Sequence, residues 1–445
     1  MLDQSFSAEN FRRILDLSNR KGIHVEDKLS MTTIRAINES IRDCNAQIKT
    51  KKKGRDTAAV ETLYEKKKEL REKKGKELEK ELETISRNVA SRSFKISLKK
   101  VDIPGRKAIY TTPNIPEHFF ALKQVQYNIS RLFGVKQANR NSIIEQVISI
   151  LRNKFPKFIV RTDIEEFYES IQHNPLIQRI SKDNLLTPFS RNILISILRS
   201  YKALSGSNKG IPRGIGVSAY LAELFMRDID RDIQDLDGVT YYARYVDDIV
   251  VIFTPSSVDR NRDYLGEVKR IIESKNKLNL STQKTQTFDI DGSGKFHSFN
   301  YLGYEINFGS GSVKIKLTNS KVDKYCKRIQ IAFDEYENYS KVSEKVARRI
   351  LVKRIRFLTG NTKLTNNKKN ILVGVYYSHK HLTDLSQLSG LDRFLSSQIS
   401  NRISSERLKN RLYKYRFRDG YEQKRFSPYT PDDLSEIMKE WKKAS

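Results

Sequence analysis

The chain has 445 residues, of which 38% are hydrophobic and 10% aromatic, so it can form more than one hydrophobic core and is not a disordered chain. Lysine and arginine number 83 against 53 acidic residues, giving a net charge of +30, and a field of this sign favours a polyanionic partner, above all nucleic acid. The two cysteines, Cys44 and Cys326, exclude a disulfide framework, and no apolar leader or membrane-spanning run is found, so we expect a cytoplasmic protein with no membrane partner.

The first 90 residues are predicted to form a helical arm. Apolar residues recur three and four positions apart between Ile34 and Ile48, as they do on one buried face of a helix. After the break KTKKKGRD, a highly charged stretch carries apolar residues from Val60 to Ile85 at similar spacing. Two such helices predict a helical hairpin or a short coiled arm, and the alternative is a solvated charged helix without a partner.

Residues 91–310 are predicted to form a second domain. At its start, the apolar residues change from a spacing of three and four positions to alternation with polar residues. The segment SFKISLKKVDIPGRKAIYTT, residues 93–112, alternates apolar and polar residues around a turn at Pro104-Gly105, which predicts a basic β-hairpin. A helical pattern follows across 117–155, and the apolar run KFIV then leads into Asp163.

Predicted strands and helices alternate between residues 156 and 306. In chain order they are the strand FIVRTDI, helices up to residue 200, the loop GSNKGIPRGIGVS, the helix AYLAELFMRDIDRDI, the strands YYARY and IVVIF, a helix from Arg260 to Lys275, and a strand pair around NYLGYEI. This order predicts an α+β fold with a small antiparallel sheet backed by helices. Residues 311–445 are predicted to form a third domain, which is helical and basic.

The strongest chemical signal is the pair Asp247-Asp248 between two apolar strands. Adjacent carboxylates repel, and apolar flanks reduce the solvation that would screen them, so a bound divalent cation is expected. A surface turn is the alternative, but tight turns of small sheets usually contain Asn-Gly or Asp-Gly. Asp163 follows another apolar strand, and if the two strand ends are neighbours, these aspartates could hold two Mg²⁺ ions, with Mn²⁺ as a substitute, for phosphoryl transfer.

Five segments resemble motifs A to E of reverse transcriptases in their order and approximate spacing. They are RTDIEEFYESI, GIPRGIGVSAYLAELFM, YVDD, LNLSTQKTQ and FNYLGYEI, within residues 158–306. The chain is similar to the bacterial branch that contains retron, group II intron and antiphage-defence enzymes. The resemblance implies a right-hand polymerase with fingers and palm in residues 91–310 and a helical thumb and C-terminal region in residues 311–445.

The resemblance also implies roles for individual residues. Asp163, Asp247 and Asp248 resemble the catalytic metal-binding aspartates, and the backbone carbonyl of Ile164 would face a metal. Tyr168 falls at the aromatic steric gate that rejects a 2′-hydroxyl, and an ordinary core aromatic is the alternative. RNA-dependent RNA polymerases tend to have a small or acidic residue near the position of this tyrosine and Gly-Asp-Asp in motif C. Both differences favour DNA over RNA synthesis here.

Nucleotide-binding residues follow from the same resemblance. Arg213 and Gly214 match the Gln-Gly of motif B, with arginine in place of the usual glutamine, and glycine lets the backbone approach a nucleotide. Lys284 matches the motif D lysine proposed to protonate pyrophosphate, and an exposed loop lysine is the alternative. Either Arg106 or Arg140 would bind the triphosphate, because a guanidinium fits phosphate oxygens.

Two further segments are candidates for contact with nucleic acid. Tyr301, Leu302 and Gly303 resemble the primer-grip hairpin. The segment SERLKNRLYKYRFRDGYEQKR interleaves basic and aromatic residues, which could bind phosphates and stack on bases, or could place the aromatic side chains in the thumb core. Its candidate nucleic-acid-binding residues are Arg407, Arg411, Arg416 and Arg418.

The sequence therefore predicts an RNA-directed DNA polymerase that uses dNTPs, an RNA/DNA duplex and a structured noncoding RNA. The segments LDQSFSAENFRRILDLSNRKG, FLTGN and VGVYYSH resemble the first polymerase of type 3 two-polymerase defence systems. That resemblance implies an antiphage role and a companion reverse transcriptase in a homo- or hetero-oligomer. Two alternatives stay open: a template-independent or protein-primed nucleotidyltransferase, and a non-catalytic nucleic-acid-binding subunit.

Overall fold

The computed structural model describes residues 2–20, 24–29, 31–54, 56–136, 138–182, 184–256, 262–290, 295–309, 311–364 and 371–443. The helices are α1 (Ala8–Arg20), α2 (Val25–Lys28), α3 (Thr32–Lys53), α4 (Thr57–Ala90), α5 (Pro116–Leu132), α6 (Arg140–Arg152), α7 (Phe167–Ser170), α8 (His173–Lys182), α9 (Pro188–Ser205), α10 (Gly216–Gln234), α11 (Tyr264–Asn276), α12 (Asn319–Ser340), α13 (Glu344–Leu358), α14 (Ser386–Arg402), α15 (Glu406–Leu412), α16 (Phe417–Glu422) and α17 (Pro431–Lys443). The strands are β1 (Lys99–Val101), β2 (Ile109–Thr111), β3 (Lys157–Asp163), β4 (Val239–Tyr245), β5 (Asp248–Phe253), β6 (Gln286–Ile290), β7 (His297–Tyr301), β8 (Tyr304–Gly309), β9 (Ser312–Leu317), β10 (Asn361–Leu364) and β11 (Ile371–Gly374). No helix in these ranges is long and apolar enough to cross a membrane.

The predicted N-terminal arm is an antiparallel pair of helices, α3 and α4. The carboxylate of Asp56 accepts a hydrogen bond from the backbone N–H of Ala59 and so caps the start of α4. The apolar face of α3 is buried, with Ile34 fully covered. Across the pair, Lys67 Nζ donates to Asn45 Oδ1 at 2.5 Å. The helical arm is therefore confirmed, and its helices pack against each other.

One of two compact units contains residues 1–138, 163–237 and 263–283. Its core is largely helical, and the rings of Phe11 in α1 and Phe120 in α5 stack with centroids 5.1 Å apart. The predicted basic hairpin is present as β1 and β2, which pair antiparallel over three residues each. The predicted helix start at Arg260 lies outside the described residues, and α11 forms the rest of that helix.

The other unit contains residues 139–162, 238–262 and 284–445. Its four-stranded sheet has the order β4-β5-β3-β6, in which β4 pairs antiparallel with β5 and β3 pairs antiparallel with β6. The side chains from Ile249 to Phe253 are buried to 1% exposure or less, because a central strand is covered on both faces. The strands predicted from FIVRTDI, YYARY and IVVIF are confirmed.

The C-terminal region is less uniformly helical than predicted. Strands β7 and β8 are the strand pair predicted around NYLGYEI, and β9 extends that pair to a three-stranded sheet. Strands β9, β10 and β11 lie where the sequence predicted helices alone, and β10 and β11 pair with each other. Asn361, only 2% exposed, explains this hairpin: its side chain donates to the carbonyl of Gly420 and accepts from the N–H of Tyr376, each at 2.9 Å. The buried amide of Asn361 therefore holds strand β10, whose sequence shows no alternation of apolar and polar residues.

Helices combined with small antiparallel sheets confirm the predicted α+β class. The predicted domain boundaries near residues 90 and 310 remain predictions. The chain passes from one compact unit to the other between Thr162 and Asp163, at the end of β3. The first predicted metal ligand therefore lies at a junction in the chain.

Candidate active site

Asp163 ends strand β3 and is 6% exposed. Its backbone carbonyl accepts a hydrogen bond from the N–H of Ser281 at 2.8 Å. The next residue, Ile164, is 1% exposed and forms an antiparallel bridge with Leu280. These contacts fix the backbone on both sides of the carboxylate, so Asp163 extends from a rigid segment.

Asp247 lies in a two-residue turn between β4 and β5, with Tyr245 and Asp248 paired on either side. The other turn residue, Val246, has a φ of 63°, a left-handed conformation that costs a β-branched residue about 1–3 kcal/mol. Arg244 supports the turn, since its Nη1 donates to the Val246 carbonyl at 2.9 Å. Backbone strain of this kind is concentrated at functional sites, so the turn is a candidate for function.

Asp248 forms an ion pair with Arg161 of β3, whose Nη2 donates to Asp248 Oδ1 at 2.6 Å. The two side chains are only 10% (Arg161) and 23% (Asp248) exposed, so solvent screens the pair weakly. Arg161 Nη1 also donates to the carbonyl of Lys284 at 2.6 Å, and the hydroxyls of Thr162 and Thr285 lie 2.7 Å apart. One guanidinium thus joins two predicted site positions, Asp248 and Lys284, whereas the Lys284 side chain is exposed.

The predicted primer-grip residues form the turn between β7 and β8. Leu302 and Gly303 have φ values of 48° and 79°, the left-handed pair that a two-residue hairpin turn requires. Tyr301 is 1% exposed, and its hydroxyl has no hydrogen-bond partner among the residues that the structure describes. Burial and the negative charge of Asp248 raise the pKa of this hydroxyl, so Tyr301 lies within electrostatic range of a candidate catalytic aspartate.

Arg140, one of the two candidates for triphosphate binding, contacts that same turn. Its Nε donates to the Leu302 carbonyl at 2.8 Å and its Nη1 to the Ser378 carbonyl at 3.2 Å. Its guanidinium carbon lies 4.7 Å from the centroid of the Tyr304 ring. The other candidate, Arg106, is exposed between β1 and β2. The contacts of Arg140 therefore support the β7–β8 turn.

Tyr168, Arg213 and Gly214 are brought together. The Arg213 guanidinium carbon lies 4.9 Å from the centroid of the Tyr168 ring, and the Tyr168 carbonyl accepts the N–H of Ile211 at 2.7 Å. Gly214 has a φ of 102°, and a Cβ there would lie 2.6 Å from the carbonyl oxygen of Tyr110, so only glycine fits. Tyr168 is half-buried, so part of the residue is accessible to solvent.

The basic segment of the predicted thumb divides into a buried and an exposed part. Phe417 and Tyr421 are 0% and 8% exposed and belong to the core, whereas Tyr413 is 41% exposed. The core alternative therefore holds for Phe417 and Tyr421, and contact of Tyr413 with nucleic acid stays a prediction. The candidate arginines, all exposed, are Arg407, Arg411, Arg416 and Arg418.

Three residues that shape the site were missed in the sequence. Arg161 and Arg244 are each 8% exposed in strands with apolar neighbours, and a charged residue in such a strand needs a buried partner. That pattern in FIVRTD and YYARY was the available signal. Glu169 is the third, since both of its carboxylate oxygens accept hydrogen bonds from Arg213; its position one residue after Tyr168 gave no signal of this pairing.

No group of three or more histidine, cysteine, aspartate or glutamate side chains within the described ranges is arranged to hold a metal ion. Asp248 instead has Arg161 as its counter-ion. The predicted ligands nevertheless supply carboxylate oxygens, which Mg²⁺ prefers.

Comparison with known proteins identifies the central part of the chain. Residues 116–306 match the model of the family described as reverse transcriptase (RNA-dependent DNA polymerase). This match confirms a reverse transcriptase domain in that part of the chain, which agrees with the predicted enzyme class. A search of the curated proteins found no match.

Solved structures similar to the chain include telomerases from two Candida species. Apo telomerase from Candida tropicalis is 14% identical, with a TM-score of 0.39 over 74% of this chain and 63% of that one. Its form truncated from the C-terminal domain is 15% identical, with a TM-score of 0.38 over 51% and 56%. Telomerase from Candida albicans in complex with a TWJ fragment of telomeric RNA is 14% identical, with a TM-score of 0.35 over 73% and 62%. The chain spans less than two thirds of the length of each.

Replacing Arg161 with methionine should lower the free energy of unfolding by about 3 kcal/mol, because Asp248 would lose its counter-ion in a poorly solvated position. Chemical denaturation measures this change. Arg231→Met is the matched control, since Arg231 is 65% exposed in its ion pair with Asp228, and it should cost no more than about 1 kcal/mol. Equal losses in the two variants would contradict a structural role for the Arg161–Asp248 pair.

Proposed function

We propose that this chain, in which residues 116–306 form a reverse transcriptase domain, is an RNA-directed DNA polymerase that adds deoxynucleotides on an RNA template. The observation that carries the proposal is the position of the acidic residues within the matched range. Asp163 ends β3, Asp248 begins β5, and these two strands are neighbours in the sheet. Asp163, Asp247 and Asp248 are the proposed catalytic residues.

Strand geometry supports a common metal site for these aspartates. Because Arg161 near the end of β3 reaches Asp248 at the start of β5, these two strand ends lie at the same edge of the sheet. Asp163 follows Arg161 by two residues, and alternate residues of a strand project from the same face, about 7 Å apart. A carboxylate is therefore expected on the same face and edge as Asp248, with Asp247 in the adjoining turn.

The proposed cofactor is Mg²⁺, with Mn²⁺ as a substitute. Asp163, Asp247 and the carbonyl of Ile164 would hold the ions, and Asp248 would complete the set, because hard cations bind carboxylate and carbonyl oxygens. Bound there, the ions would lower the pKa of a 3′-hydroxyl and neutralise charge on the leaving pyrophosphate. The protein's own part is positioning: Arg161 orients Asp248, and the Ser281 contact fixes the backbone of Asp163.

Several residues of the matched domain and of the hairpin before it are proposed to bind the nucleotide. Tyr168 would act as the steric gate, Gly214 would allow close approach of the backbone, and Lys284 would donate a proton to pyrophosphate. Of the two arginines considered for the triphosphate, the contacts favour Arg106, because Arg140 is hydrogen-bonded to the β7–β8 turn. Tyr301, Leu302 and Gly303 would support the primer end.

The template and partners are proposed from charge and from the sequence resemblance. A net charge of +30 and exposed arginines around α15 favour a structured noncoding RNA held through its phosphates. The segments that resemble defence-associated polymerases favour an antiphage role in the cytoplasm, with a companion reverse transcriptase. The product would be DNA copied from that RNA.

Incubation of the purified protein with one labelled dNTP at a time, with and without RNase, tests the proposal. RNA-directed synthesis predicts that incorporation depends on the template sequence and stops after RNase treatment. Incorporation that survives RNase would favour a template-independent or protein-primed nucleotidyltransferase, and label attached to the protein itself would indicate protein priming. No incorporation at all would favour a nucleic-acid-binding subunit.

Asp163→Asn or Asp247→Asn should lower dNTP incorporation about a thousandfold or more, because a metal-bridging carboxylate is lost. RNA affinity and thermal stability should stay close to those of the unchanged protein. Steady-state incorporation at saturating Mg²⁺ measures the effect.

Asp289→Asn is the matched control for these variants. Asp289 is exposed on β6 and pairs with Phe158, at the opposite end of β3 from Asp163. The control should retain nearly full activity. Substantial activity in either active-site variant would refute the assignment of the aspartates.

Replacing Arg407 and Arg411 with glutamine should weaken RNA binding in a salt-dependent way. They lie four residues apart on one exposed face of α15, and the loss of two phosphate contacts should flatten the slope of log affinity against log salt by about 1.4–1.8. Filter binding at several salt concentrations measures the slope. Arg348→Gln with Arg349→Gln removes the same charge from arginines already paired with Glu344 and Glu436, and an equal effect there would show that only net charge matters.

A further inference from the structure

The residue after the proposed steric gate belongs to a compact ion-pair network. Arg213 Nε donates to Glu169 Oε1 at 2.5 Å and Arg213 Nη2 donates to Glu169 Oε2 at 2.9 Å, so the pair is bidentate. Lys107 Nζ donates to Glu169 Oε2 at 3.2 Å and to Glu166 Oε1 at 3.0 Å. Two cations therefore meet two carboxylates, and the network connects the β1–β2 hairpin, α7 and the loop that contains Arg213.

The two glutamates of this network differ in their surroundings. The Glu169 side chain is 28% exposed, whereas that of Glu166 is 68% exposed. Burial would raise the pKa of the Glu169 carboxyl, but the hydrogen bonds and charges of Arg213 and Lys107 outweigh burial and lower it. Glu169 is thus the charged centre of the network, and Glu166 is a peripheral member.

Arg213 connects this centre to the Tyr168 ring. Glu169 binds one edge of the guanidinium through Nε and Nη2. The Arg213 guanidinium carbon lies 4.9 Å from the centroid of the Tyr168 ring, a distance at which a cation attracts an aromatic face. The backbone is fixed as well, because the Arg213 carbonyl accepts the N–H of Tyr110 at 2.6 Å and the Tyr168 carbonyl accepts the N–H of Ile211 at 2.7 Å. The position of the ring therefore depends on the direction in which Glu169 holds the guanidinium.

We infer that Glu169 is a positioning residue for sugar selection: it holds Arg213 against Tyr168 and so fixes the ring that would meet the 2′ position of an incoming nucleotide. This inference rests on the proposed function, and it explains how arginine can replace the glutamine that reverse transcriptases usually have in motif B. A glutamine carries no charge at that place, whereas Arg213 needs a carboxylate to balance it. Glu169 supplies that carboxylate and fixes the guanidinium in two hydrogen bonds.

The test is the ratio of kcat/KM for a dNTP to kcat/KM for the matching rNTP, measured for single additions on one primer–template. Glu169→Gln should lower this ratio about tenfold, because a tenfold change corresponds to the interaction free energy of a cation–π contact of moderate strength. Arg213→Gln should lower it similarly. Because Glu169 acts through Arg213, the double variant should show the ratio of Arg213→Gln alone.

Glu166→Gln is the matched control, since it makes the same chemical change at the exposed glutamate that pairs with Lys107. It should leave the ratio within about twofold of the unchanged protein, as expected for an exposed ion pair. A purely structural role of Glu169 would lower dNTP and rNTP use together and leave the ratio unchanged. That result, or a further effect of Glu169→Gln in the Arg213→Gln background, would overturn the inference.

Failure of this inference can be distinguished from failure of the proposed function. If the unchanged protein adds no dNTP to any template, the proposed function fails. If it adds dNTPs and Glu169→Gln keeps the ratio, only the inference fails. Should Glu169→Gln not fold, Arg213→Lys serves the same test. Lysine keeps the charge but cannot form the paired hydrogen bonds or lie flat on the ring. An unchanged ratio in Arg213→Lys would equally overturn the inference.

Discussion

The hydrogen-bonded ion pair between Arg161 and Asp248 joins the end of β3 to the start of β5, and the geometry of the proposed active site depends on it. A carboxylate at the end of an apolar strand loses much of its hydration and needs either a counter-ion or a proton. Arg161 supplies the counter-ion and also binds the carbonyl of Lys284, so three chain segments are held by one guanidinium. A metal ion would thus bind to an edge that is already organised.

A second arginine is also neutralised by a hydrogen-bonded carboxylate elsewhere in the chain. Arg213 is balanced by Glu169 through two hydrogen bonds, as Arg161 is balanced by Asp248. The arginines of α15, Arg407 and Arg411, are instead exposed. Charges that position side chains are therefore neutralised locally, whereas exposed charges such as those of Arg407 and Arg411 would attract a polyanion.

Some of this arrangement could be predicted from the sequence because it depends on local pattern. The apolar run before Asp163 predicted a strand that ends at this aspartate, and the apolar flanks of Asp247 and Asp248 predicted strands on either side of that pair. Those strands are present. The β10–β11 hairpin could not be predicted in this way, because the buried amide of Asn361 that fixes it binds Gly420, 59 residues away in the chain.

Other features depend on contacts that no local pattern reports. An arginine inside FIVRTD could have faced solvent, and its partner Asp248 is 87 residues away. The left-handed φ of Val246 runs against the preference of a β-branched residue, so propensity alone would have placed another residue in that turn. Such departures from local preference are expected at functional sites.

The most direct test of the central claim is a count of the Mn²⁺ ions bound by the protein with an RNA/DNA primer–template and an unreactive dNTP analogue, measured by electron paramagnetic resonance. If Asp163 and Asp247 hold the catalytic ions, the unchanged protein should bind two ions. Asp163→Asn and Asp247→Asn should each lose at least one of them, and the Asp289→Asn control should lose none. The same number of tightly bound ions in all four proteins would contradict the claim that these aspartates form the metal site.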